Sequence, residues 1–449
     1  MAGVEDLGAR LTGVAGRRVG ILGAGWAGMA AAVELADAGA RVTVFEAAHT
    51  LGGRARAVEY RGLTLDNGAH ILIGAYRQTL ALMRKVGVNE GAGDIARVPL
   101  ELNFPGRFRL RAPRLPRPLH LAAALLGCRG LPFAQRVAAA RFMRAAQAMR
   151  FTLEQDTSVC ALLERFDQGE QACRFLWDPL CIAALNTRPH EASAQVFLNV
   201  LRDSLDGTQR DSELVLPRRD LSRLFPLPAA GFVGARGGRV ITGCGVNAVH
   251  ARESGFEIEH ARGSERCDAV VCALPPYRVA EVLAPLTAMH TTALRIDALE
   301  HEPITCVYLQ YDPHARLPQS MVGLDGALAQ WAFDRGRLVG QAGLVCAVIS
   351  ARGAHEQLSH EQLAARVAEE LGVRFAGLGT AHWSKVIAEK RATFSCRPNL
   401  ERPDQRTPVP GLLLAGDYTA SPYPGTLEAA VRSGVRCARL LIEGHHVHA

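Results

Sequence analysis

The 449-residue sequence has only three lysines, Lys85, Lys385 and Lys390, among its 51 basic residues. With 44 acidic residues the net charge is +7, and an arginine excess spread along the whole chain identifies no partner by itself. The 11 cysteines include no C-x-x-C pair, so neither a zinc ribbon nor a redox dithiol is indicated. Most cysteines have apolar neighbours, which predicts buried, reduced thiols in a reducing compartment.

Long apolar runs and a basic leader are also missing. No apolar run approaches the roughly 20 residues that a membrane-spanning helix needs, which argues against an integral helical membrane protein. The chain begins M-A-G-V-E-D, and its first apolar run, 19–22, is too short for a signal peptide, so we expect a cytoplasmic protein. At roughly 100–200 residues per domain, the length predicts two to four domains or two large interleaved ones. Hydrophobic residues make up 48% of the sequence, which excludes a disordered chain.

A nucleotide-binding pattern begins at residue 17. A strand is predicted over 17–22, the sequence G-A-G-W-A-G occupies 23–28, a helix is predicted over 29–38, and a second strand over 41–45 ends at Glu46. Strand, glycine turn, helix, strand and acidic residue within about 30 residues are the full context of a dinucleotide-binding motif. The alternative is a glycine-rich turn that binds no ligand. The presence of both strands and the acidic residue at the expected spacing disfavours it.

Each residue of this motif has a physical role. Gly23 permits a tight turn, Gly25 lets the backbone approach a pyrophosphate, and Gly28 allows the helix to pack closely on the strand. The helix N-terminus presents free N–H groups and the positive end of its dipole to the phosphates. We expect Glu46 to accept hydrogen bonds from ribose hydroxyls and to repel a 2′-phosphate.

The sequence Leu51-Gly52-Gly53-Arg54 extends the motif. With this extension the chain resembles the flavoprotein superfamily of amine oxidases, protoporphyrinogen oxidases and carotenoid desaturases. The resemblance implies an α/β fold: a Rossmann-type FAD-binding domain of the glutathione-reductase type with an interleaved α+β substrate domain. It also implies FAD as the cofactor, with the backbone at Gly53 and the Arg54 side chain at its pyrophosphate.

The second half of such a site lies near the carboxy terminus. A buried strand is predicted over 411–415 and ends in Gly416-Asp417, and a helix is predicted to begin near Thr426. In the resembled family this Asp binds the ribitol or phosphate part of FAD, and the helix N-terminus faces the flavin edge that becomes negative on reduction. The resemblance therefore assigns Gly416, Asp417, Thr426 and Leu427 to the cofactor; a capped surface helix is the alternative.

The resemblance also predicts how the chain divides into domains. FAD-binding segments are expected at 16–95, 214–285 and 380–443, and a substrate domain that faces the membrane at 96–213 and 286–379. Val246 is expected to touch the adenine through its backbone, although a place in the sheet core fits it as well. Further predicted elements are a hairpin over 100–110, strands over 237–242, 267–274, 304–309 and 344–349, a helix over 356–371, and a disordered tail over 444–449 without a metal site.

Three interior sequences narrow the resemblance: L-D-N-G-A-H at 65–70, L-W-D-P-L-C-I-A-A-L-N-T at 176–187 and E-K-R-A-T-F at 389–394. They are similar to the hydroxysqualene dehydroxylases, the squalene-associated FAD-dependent desaturase-like proteins of bacterial hopanoid biosynthesis. The resemblance covers about 17–441. It implies that a thirty-carbon polyprenoid alcohol, hydroxysqualene, loses its allylic hydroxyl reductively and becomes squalene.

That reaction needs a proton donor for the leaving hydroxyl. The candidates are Asp66, His70 and Asp178, and each has an alternative role: capping a turn, contacting FAD and capping a helix, respectively. Gly68, in the turn between the first two, is expected beside the cofactor. Two other functions stay open: a carotenoid-type desaturase or amine oxidase, and a non-catalytic prenyl-lipid-binding protein. Amine oxidases cage the amine with two aromatic residues, whereas only Tyr423 is near that place here.

Acidic residues are absent between Glu101 and Glu154, a stretch that holds ten arginines. On a helical wheel over 133–151, Arg136, Arg141, Arg144 and Arg150 share one half and Phe142 and Met149 share the other. This pattern predicts peripheral contact with an anionic membrane on its cytoplasmic face, and the alternative is a solvated helix that covers the core. Aromatic residues are not interleaved for base stacking, so no nucleic-acid partner is expected.

Overall fold

The computed structural model describes residues 13–116 and 119–444. Two predictions fall on residues outside these ranges. One is drawn from the first residues of the chain, and the other concerns residues 445–449 of the tail. All 11 cysteines are described and are free thiols, and all but Cys160 and Cys173 are buried. Within the described ranges, no helix has the length and apolar character needed to cross a bilayer.

The first of two main sheets has five parallel strands. The strands are short apolar runs, as expected where both faces of a sheet are covered. Because all five run in the same direction, the glycine turn, Glu46 and Gly416-Asp417, which follow three of them, meet at one edge of the sheet. The order across the sheet is Arg239–Ile241, Arg41–Phe45, Arg18–Leu22, Ala269–Cys272 and Leu412–Leu414.

One face of this sheet is covered by two helices, Trp26–Asp37 and Leu427–Ile442. They cross so closely that a Cβ atom on Gly434 would lie 2.1 Å from the carbonyl oxygen of Ala27. Only glycine permits this approach, which anchors the carboxy-terminal helix on the helix of the glycine motif.

A small antiparallel sheet covers the opposite face. A Cβ atom on Gly20 would lie 2.3 Å from Cδ1 of Ile258, which shows how closely the two layers pack. Helices on one face and a small β layer on the other are typical of the glutathione-reductase type predicted from the sequence. The small sheet consists of Val246–Ala251, Phe256–His260 and Gly263–Cys267.

The second main sheet is antiparallel and has two different faces. Val307 and Leu309 face helix His360–Arg374, whereas Cys306 and Tyr308 join the core shared with the first sheet. This second face therefore borders the edge at which the glycine turn lies. The strand order is Met321–Gly323, Trp331–Asp334, Leu344–Ser350, His301–Gln310 and Trp383–Phe394.

Strand Trp383–Phe394 lies inside the predicted FAD-binding segment 380–443. It pairs along its length with His301–Gln310 and so belongs to the second sheet. The sequence pattern did not show this pairing, because a strand gives no local signal of the sheet in which it pairs. The boundary at residue 380 stays a prediction.

The helix predicted over 356–371 begins four residues later, at His360. Ser359 stops it from extending further back, because its hydroxyl accepts the backbone N–H of Gln362 at 3.2 Å while the Gln362 side chain accepts the N–H of Ser359 at 2.9 Å. Residues Ala354–Gln357 form a separate 3-10 turn.

Residues 101–153, called the outer segment below, contain the predicted hairpin and two helices, Leu119–Leu126 and Phe133–Ala148. The second helix ends earlier than the wheel over 133–151 assumed. Arg150 and Phe151 follow it with positive φ of 55° each, so Arg150 is not on the helix face with Arg141 and Arg144.

The remaining elements connect these layers. In chain order, the strands are Ala57–Tyr60, Leu63–Asp66, Leu72–Ile73, Ile95–Val98, Glu101–Phe104, Phe108–Arg111 and Leu214–Pro217. The helices are Arg77–Lys85, Val159–Arg165, Glu170–Ala172, Asp178–Leu185, Ala194–Leu205, Leu221–Leu224, Pro226–Gly234, Pro276–Val282, His290–Asp297 and Arg335–Val339. Cys173–Trp177 is a π-helical turn, and Gln209–Ser212, Thr287–Met289 and Ala376–Leu378 are 3-10 turns.

Candidate functional site

The glycine turn forms an open cradle at the end of strand Arg18–Leu22. Gly23 has φ +99°, and a Cβ atom on it would lie 2.8 Å from the carbonyl oxygen of Ala273. A Cβ atom on Gly28 would lie 2.0 Å from the carbonyl oxygen of Gly23, so the helix can pack here only without a side chain. A Cβ atom on Gly25 would meet only the Cα of Gly53, at 3.9 Å. The turn is thus closed behind by contacts and open on the side where a pyrophosphate is expected.

Glu46 lies beside this turn at the end of strand Arg41–Phe45. One carboxylate oxygen accepts the backbone N–H of Ala24 at 2.7 Å and the other accepts that of Ala48 at 2.8 Å. Sequence reasoning assigned Glu46 to the ribose alone, and the structure adds that it also holds the glycine turn in place. A carboxylate accepts about four hydrogen bonds, so the remaining lone pairs stay available to ribose hydroxyls.

Val246 lies on the same side as Glu46. The backbone N–H of Cys244 donates to the carbonyl oxygen of Glu46 at 2.8 Å, and that of Gly243 donates to Ala48 at 3.1 Å. These two bonds place the start of strand Val246–Ala251 next to the residues expected at the adenosine end. Val246 is buried and pairs with His260, so its sheet role is evident and its adenine contact stays a prediction.

Arg54 joins the two halves of the cradle. Its Nη2 donates to Oδ1 of Asp417 at 2.5 Å, and its Nη1 donates to the carbonyl oxygen of Ala392 at 2.6 Å. Burial acts to lower the pKa of Arg54, but the adjacent Asp417 carboxylate raises it above its ordinary value. The ion pair therefore stays charged and connects the glycine motif, the second sheet and the carboxy-terminal strand at one point.

The carboxy-terminal helix begins where the sequence predicted it. Thr426 is its N-cap and accepts the backbone N–H of Ala429 at 3.2 Å, so Leu427 is the first helical residue. Glu428, which is fully buried, accepts the backbone N–H and the hydroxyl of Thr79 at 2.9 and 2.7 Å. These bonds cap helix Arg77–Lys85 and fix the first turn of the carboxy-terminal helix, whose free N–H groups lie at its start.

Three residues of the cradle were not predicted. Asn67 donates to the carbonyl oxygen of Arg54 at 2.8 Å, and Arg402 donates to the carbonyl oxygen of Asp417 at 3.2 Å. His301 lies near the ion pair of Arg54 and Asp417, and burial together with the positive charge of Arg54 lowers its pKa. Its Nε2 is buried and has no hydrogen-bond partner among the described residues. Only Asn67, inside the D-N-G turn, had a sequence signal; the other two reach the site through tertiary packing.

Asp66 lies beside the cradle, and each of its carboxylate oxygens accepts a hydrogen bond from a protein group. Its Oδ2 accepts from Nη1 of Arg335 at 2.8 Å and its Oδ1 accepts the backbone N–H of Leu221 at 2.9 Å. The side chains of both Asp66 and Arg335 are buried. The hydroxyl of Tyr308 donates to the backbone carbonyl oxygen of Asp66 at 2.8 Å. The structure therefore gives Asp66 a position at the junction of the two sheets and a buried ion-pair partner.

His70 follows on the same turn. Its Nδ1 lies 2.9 Å from the carbonyl oxygen of Gly68, and Nε2 has no hydrogen-bond partner within the described ranges. Burial lowers the pKa of His70 below its ordinary value. The backbone N–H of Ala69 donates to Sγ of Cys306 at 3.4 Å, so the turn lies on the inner face of the second sheet.

Among the described residues, Asp178 makes no hydrogen bond or ion pair with Asp66, His70 or the cradle. It is half-buried at the start of helix Asp178–Leu185, and burial raises its pKa to about 6. Burial raises the pKa values of Cys160, Cys173 and Cys181, and the nearby negative charge of Asp178 raises them further. The structure thus brings Asp66 and His70 together with the cradle and places Asp178 among these thiols.

Tyr423, the one aromatic residue expected near the place of an amine cage, is held by protein groups on two sides. Its hydroxyl donates to Oδ2 of Asp203 at 2.6 Å, and the Arg432 guanidinium lies 4.7 Å from the centre of its ring. Burial, together with Asp203, raises the pKa of Tyr423 to about 12. Both the polar group and one face of the ring are therefore already in contact with protein.

The cradle fits FAD. The open side of Gly25 leaves room for a pyrophosphate, Arg54 supplies a buried cation, and Glu46 retains free acceptor positions for a ribose. The buried and unpartnered Nε2 of His301 provides one more polar group in the same region. These features lie at the carboxyl end of a parallel sheet, where nucleotide cofactors bind.

Comparisons with known proteins agree with this geometry. The family model for flavin containing amine oxidoreductases matches residues 26–442. The chain is 30% identical to the hydroxysqualene dehydroxylase of Rhodopseudomonas palustris over 444 residues, which are 95% of this chain and 98% of the relative. It is 26% identical to that of Zymomonas mobilis, over 94% and 98% of the two chains, and 23% identical to a zeta-carotene desaturase of Synechococcus elongatus, over 96% and 100%.

Solved structures show the same fold. An oxidoreductase from Methanosarcina mazei superposes with a TM-score of 0.73 at 16% identity, over 94% of this chain and all of that one. Cyclohexylamine oxidase from Brevibacterium oxydans superposes with a TM-score of 0.69 at 17% identity, over 96% and 99%. The predicted fold class, the cofactor and the family resemblance are confirmed. The chain belongs to the flavin-containing amine oxidoreductase family and is an FAD-dependent oxidoreductase.

Proposed function

We propose that this enzyme removes the allylic hydroxyl of hydroxysqualene reductively and releases squalene. The observation that carries the proposal is the similarity to three hydroxysqualene dehydroxylases, at 26–30% identity over nearly the full length of both chains. Zeta-carotene desaturases are similar at 23–25% identity, which makes carotenoid desaturation the second candidate.

The surroundings of His70 support a polyprenoid substrate. The inner face of the second sheet beside this turn is apolar, and it includes Trp331, Phe333 and Val348 together with Cys306. An apolar wall excludes water, which favours a hydrocarbon chain and protects a delocalised allylic cation from capture by water. The site thus combines one charged cradle with one apolar wall.

Bound FAD, once reduced, supplies the hydride that replaces the hydroxyl on the allylic carbon. The protein must hold that carbon near the cofactor, keep water away, and protonate the hydroxyl so that it leaves as water. The proton balances the reaction: the alcohol, one hydride and one proton give the hydrocarbon and one water.

His70 is the proton donor in this proposal. Its Nδ1 is held by the Gly68 carbonyl oxygen, so the ring is oriented and Nε2 faces away from the turn. Asp66 is occupied by Arg335 and Leu221. Asp178 lies among thiols and has no hydrogen bond or ion pair with the cradle among the described residues. Because the pKa of His70 is below its ordinary value, the imidazolium that donates the proton becomes more abundant as the pH falls.

The remaining cofactor contacts belong to the same proposal. Gly25, Gly53 and Arg54 hold the pyrophosphate, Glu46 the ribose, and Asp417 the ribitol side through its pairing with Arg54. Gly68 and Gly416 keep the backbone close to the flavin side, and Thr426 and Leu427 start the helix that faces the flavin edge. The place of action is the cytoplasmic face of the cell membrane, because the substrate dissolves in the bilayer.

A single-turnover experiment tests the proposed function. The purified enzyme is reduced with dithionite without oxygen and mixed with detergent-dispersed hydroxysqualene, and a second sample in its oxidised form receives zeta-carotene. We expect one squalene per reduced flavin and no desaturated carotenoid. Desaturation of the carotenoid without squalene formation would favour the second candidate, and a purified protein without flavin absorbance would contradict both.

A further inference from the structure

The outer segment carries an unusual concentration of exposed apolar side chains. Half of the large apolar residues that the described chain exposes lie within 115–133, and the rest are scattered over residues 227–373. Three of them, Leu119, Leu126 and Phe133, are 56%, 66% and 68% exposed. Single exposed apolar residues need no explanation, but a cluster of them marks a contact surface.

Helix Leu119–Leu126 presents apolar residues on both of its sides. His120 and Ala124 are buried against the domain, whereas Leu119, Ala122 and Leu126 are exposed at a spacing of three and four residues. That spacing places them along one outward face, and the helix contains no charged residue. A helix that is apolar on its outer face is normally covered there by another apolar surface.

Arg136 connects the end of helix Leu119–Leu126 with the start of the next helix, where Phe133 lies. Its Nη1 donates to the carbonyl oxygen of Leu126 at 2.7 Å and its Nε donates to that of Leu131 at 2.8 Å. The end of the first helix is therefore attached to the first turn of the second, one turn from Phe133. Leu119, Leu126 and Phe133 together are called the apolar tip below.

Positive charge lies on the same side of the molecule as the apolar tip. Arg141 and Arg144 lie on the outward side of helix Phe133–Ala148, on the side of Phe133 and away from the buried Phe142. Neither they nor Arg129 have a carboxylate within ion-pair distance in the part of the chain that the structure describes. The sequence has no acidic residue between Glu101 and Glu154 that could neutralise them.

We infer that the outer segment docks on an anionic lipid bilayer, with the apolar tip in the acyl region and Arg129, Arg141 and Arg144 at the lipid phosphates. Exposed apolar side chains beside unpaired cations match an interface in which hydrocarbon lies beneath anionic headgroups. A second copy of this chain does not fit, because its own arginines would face these. The inference rests on the proposed function in one respect only: a thirty-carbon substrate reaches the enzyme from the bilayer.

Vesicle sedimentation tests the inference. The holoenzyme is mixed with vesicles of phosphatidylglycerol and phosphatidylcholine, or of phosphatidylcholine alone. We expect binding to the anionic vesicles that weakens in high salt. Combining Leu126→Ser with Phe133→Ser should weaken it about thirtyfold or more, and combining Arg141→Gln with Arg144→Gln about tenfold or more. Leu294→Ser, a matched change at a 59% exposed leucine on helix His290–Asp297, should leave it unchanged.

Three results would overturn the inference. In the first, the wild type does not bind anionic vesicles, and in the second, the variant with both tip substitutions binds them as the wild type does. In the third, the wild type binds no lipid and sedimentation velocity shows that it self-associates through the tip. Flavin absorbance confirms that each variant is folded. With detergent-dispersed hydroxysqualene the tip variant should form squalene at the wild-type rate. Normal vesicle binding without any squalene formation would therefore count against the proposed function alone.

Discussion

The cradle and the outer segment are built in opposite ways. In the cradle, Arg54, Asp417, Glu46 and the glycine turn come from distant parts of the chain and hold one another through short polar bonds. In the outer segment, Arg141 and Arg144 extend into solvent without an ion-pair partner among the described residues. A pre-organised site suits a ligand of fixed shape, whereas unpaired surface charge suits a partner that is fluid and defined only by its charge. Substitutions should therefore have large effects in and beside the first region and small effects on folding in the second.

The largest effect is expected at the buried ion pair beside the cradle. Asp66→Asn leaves the Arg335 guanidinium buried without a counter-charge, which should cost about 3–5 kcal/mol of unfolding free energy in urea titrations. Arg366→Gln, which removes a charge from an exposed pair with Glu369, is the matched control and should cost less than about 1 kcal/mol. Equal stability of Asp66→Asn and wild type would show that the pair does not couple the two sheets.

Loss of His70, the proposed proton donor, should be the next largest effect. We expect His70→Gln to retain FAD and to form squalene at least about a hundredfold more slowly, since general acid catalysis contributes about 10²–10⁴-fold. Asp178→Asn is the comparison, because Asp178 has no hydrogen bond or ion pair with the cradle among the described residues. The rate of single turnover should rise as the pH is lowered below the ordinary range of histidine, because burial lowers the pKa of His70.

The pH profiles of the variants separate the two residues, because with either donor the wild-type rate would fall as the pH rises. If Asp178 were the donor, activity would fall as the pH rises through about 6, and Asp178→Asn would abolish that dependence. A slow Asp178→Asn together with a normal His70→Gln would reverse our assignment. Near wild-type rates for His70→Gln, Asp178→Asn and Asp66→Asn would place the donor elsewhere.

An intermediate effect is expected at Glu46. Glu46→Ala removes charge-assisted hydrogen bonds to a ribose, each worth about 1.5–3 kcal/mol, and it also frees the N–H of Ala24 in the glycine turn. FAD affinity should fall at least about tenfold, measured as flavin retained after dialysis. Glu46→Gln keeps an acceptor oxygen and should retain more flavin; full occupancy in the alanine variant would contradict the assignment.

The smallest effect is expected in the outer segment. Arg144→Gln should change the unfolding free energy by no more than about 0.5 kcal/mol and leave flavin content unchanged, because this side chain has no described ion-pair partner. A clear loss of stability or flavin would mean that the outer segment supports the fold in the way that the cradle does, and the contrast between the two regions would disappear.

The contrast also explains what could be predicted from the sequence. The glycine motif and the start of the carboxy-terminal helix follow local rules, so the turn at Gly23 and the cap at Thr426 could be predicted directly. Sheet membership of Trp383–Phe394 and the pairing of Asp66 with Arg335 depend on contacts between distant parts of the chain, and neither has a local signal. In the outer segment, charge could be counted, but exposure of Leu126 and Phe133 required the packing of two helices.

The most direct test of the proposed function is a single turnover in heavy water. The dithionite-reduced enzyme, equilibrated in deuterium oxide without oxygen, is mixed with hydroxysqualene, and the squalene is analysed by mass spectrometry and NMR. Because the transferable hydrogen of reduced flavin exchanges with solvent, we expect one deuterium per squalene, on the carbon that carried the hydroxyl, and one oxidised flavin per product. Unchanged hydroxysqualene beside reduced flavin, or squalene without deuterium at that carbon, would contradict hydride transfer from FAD.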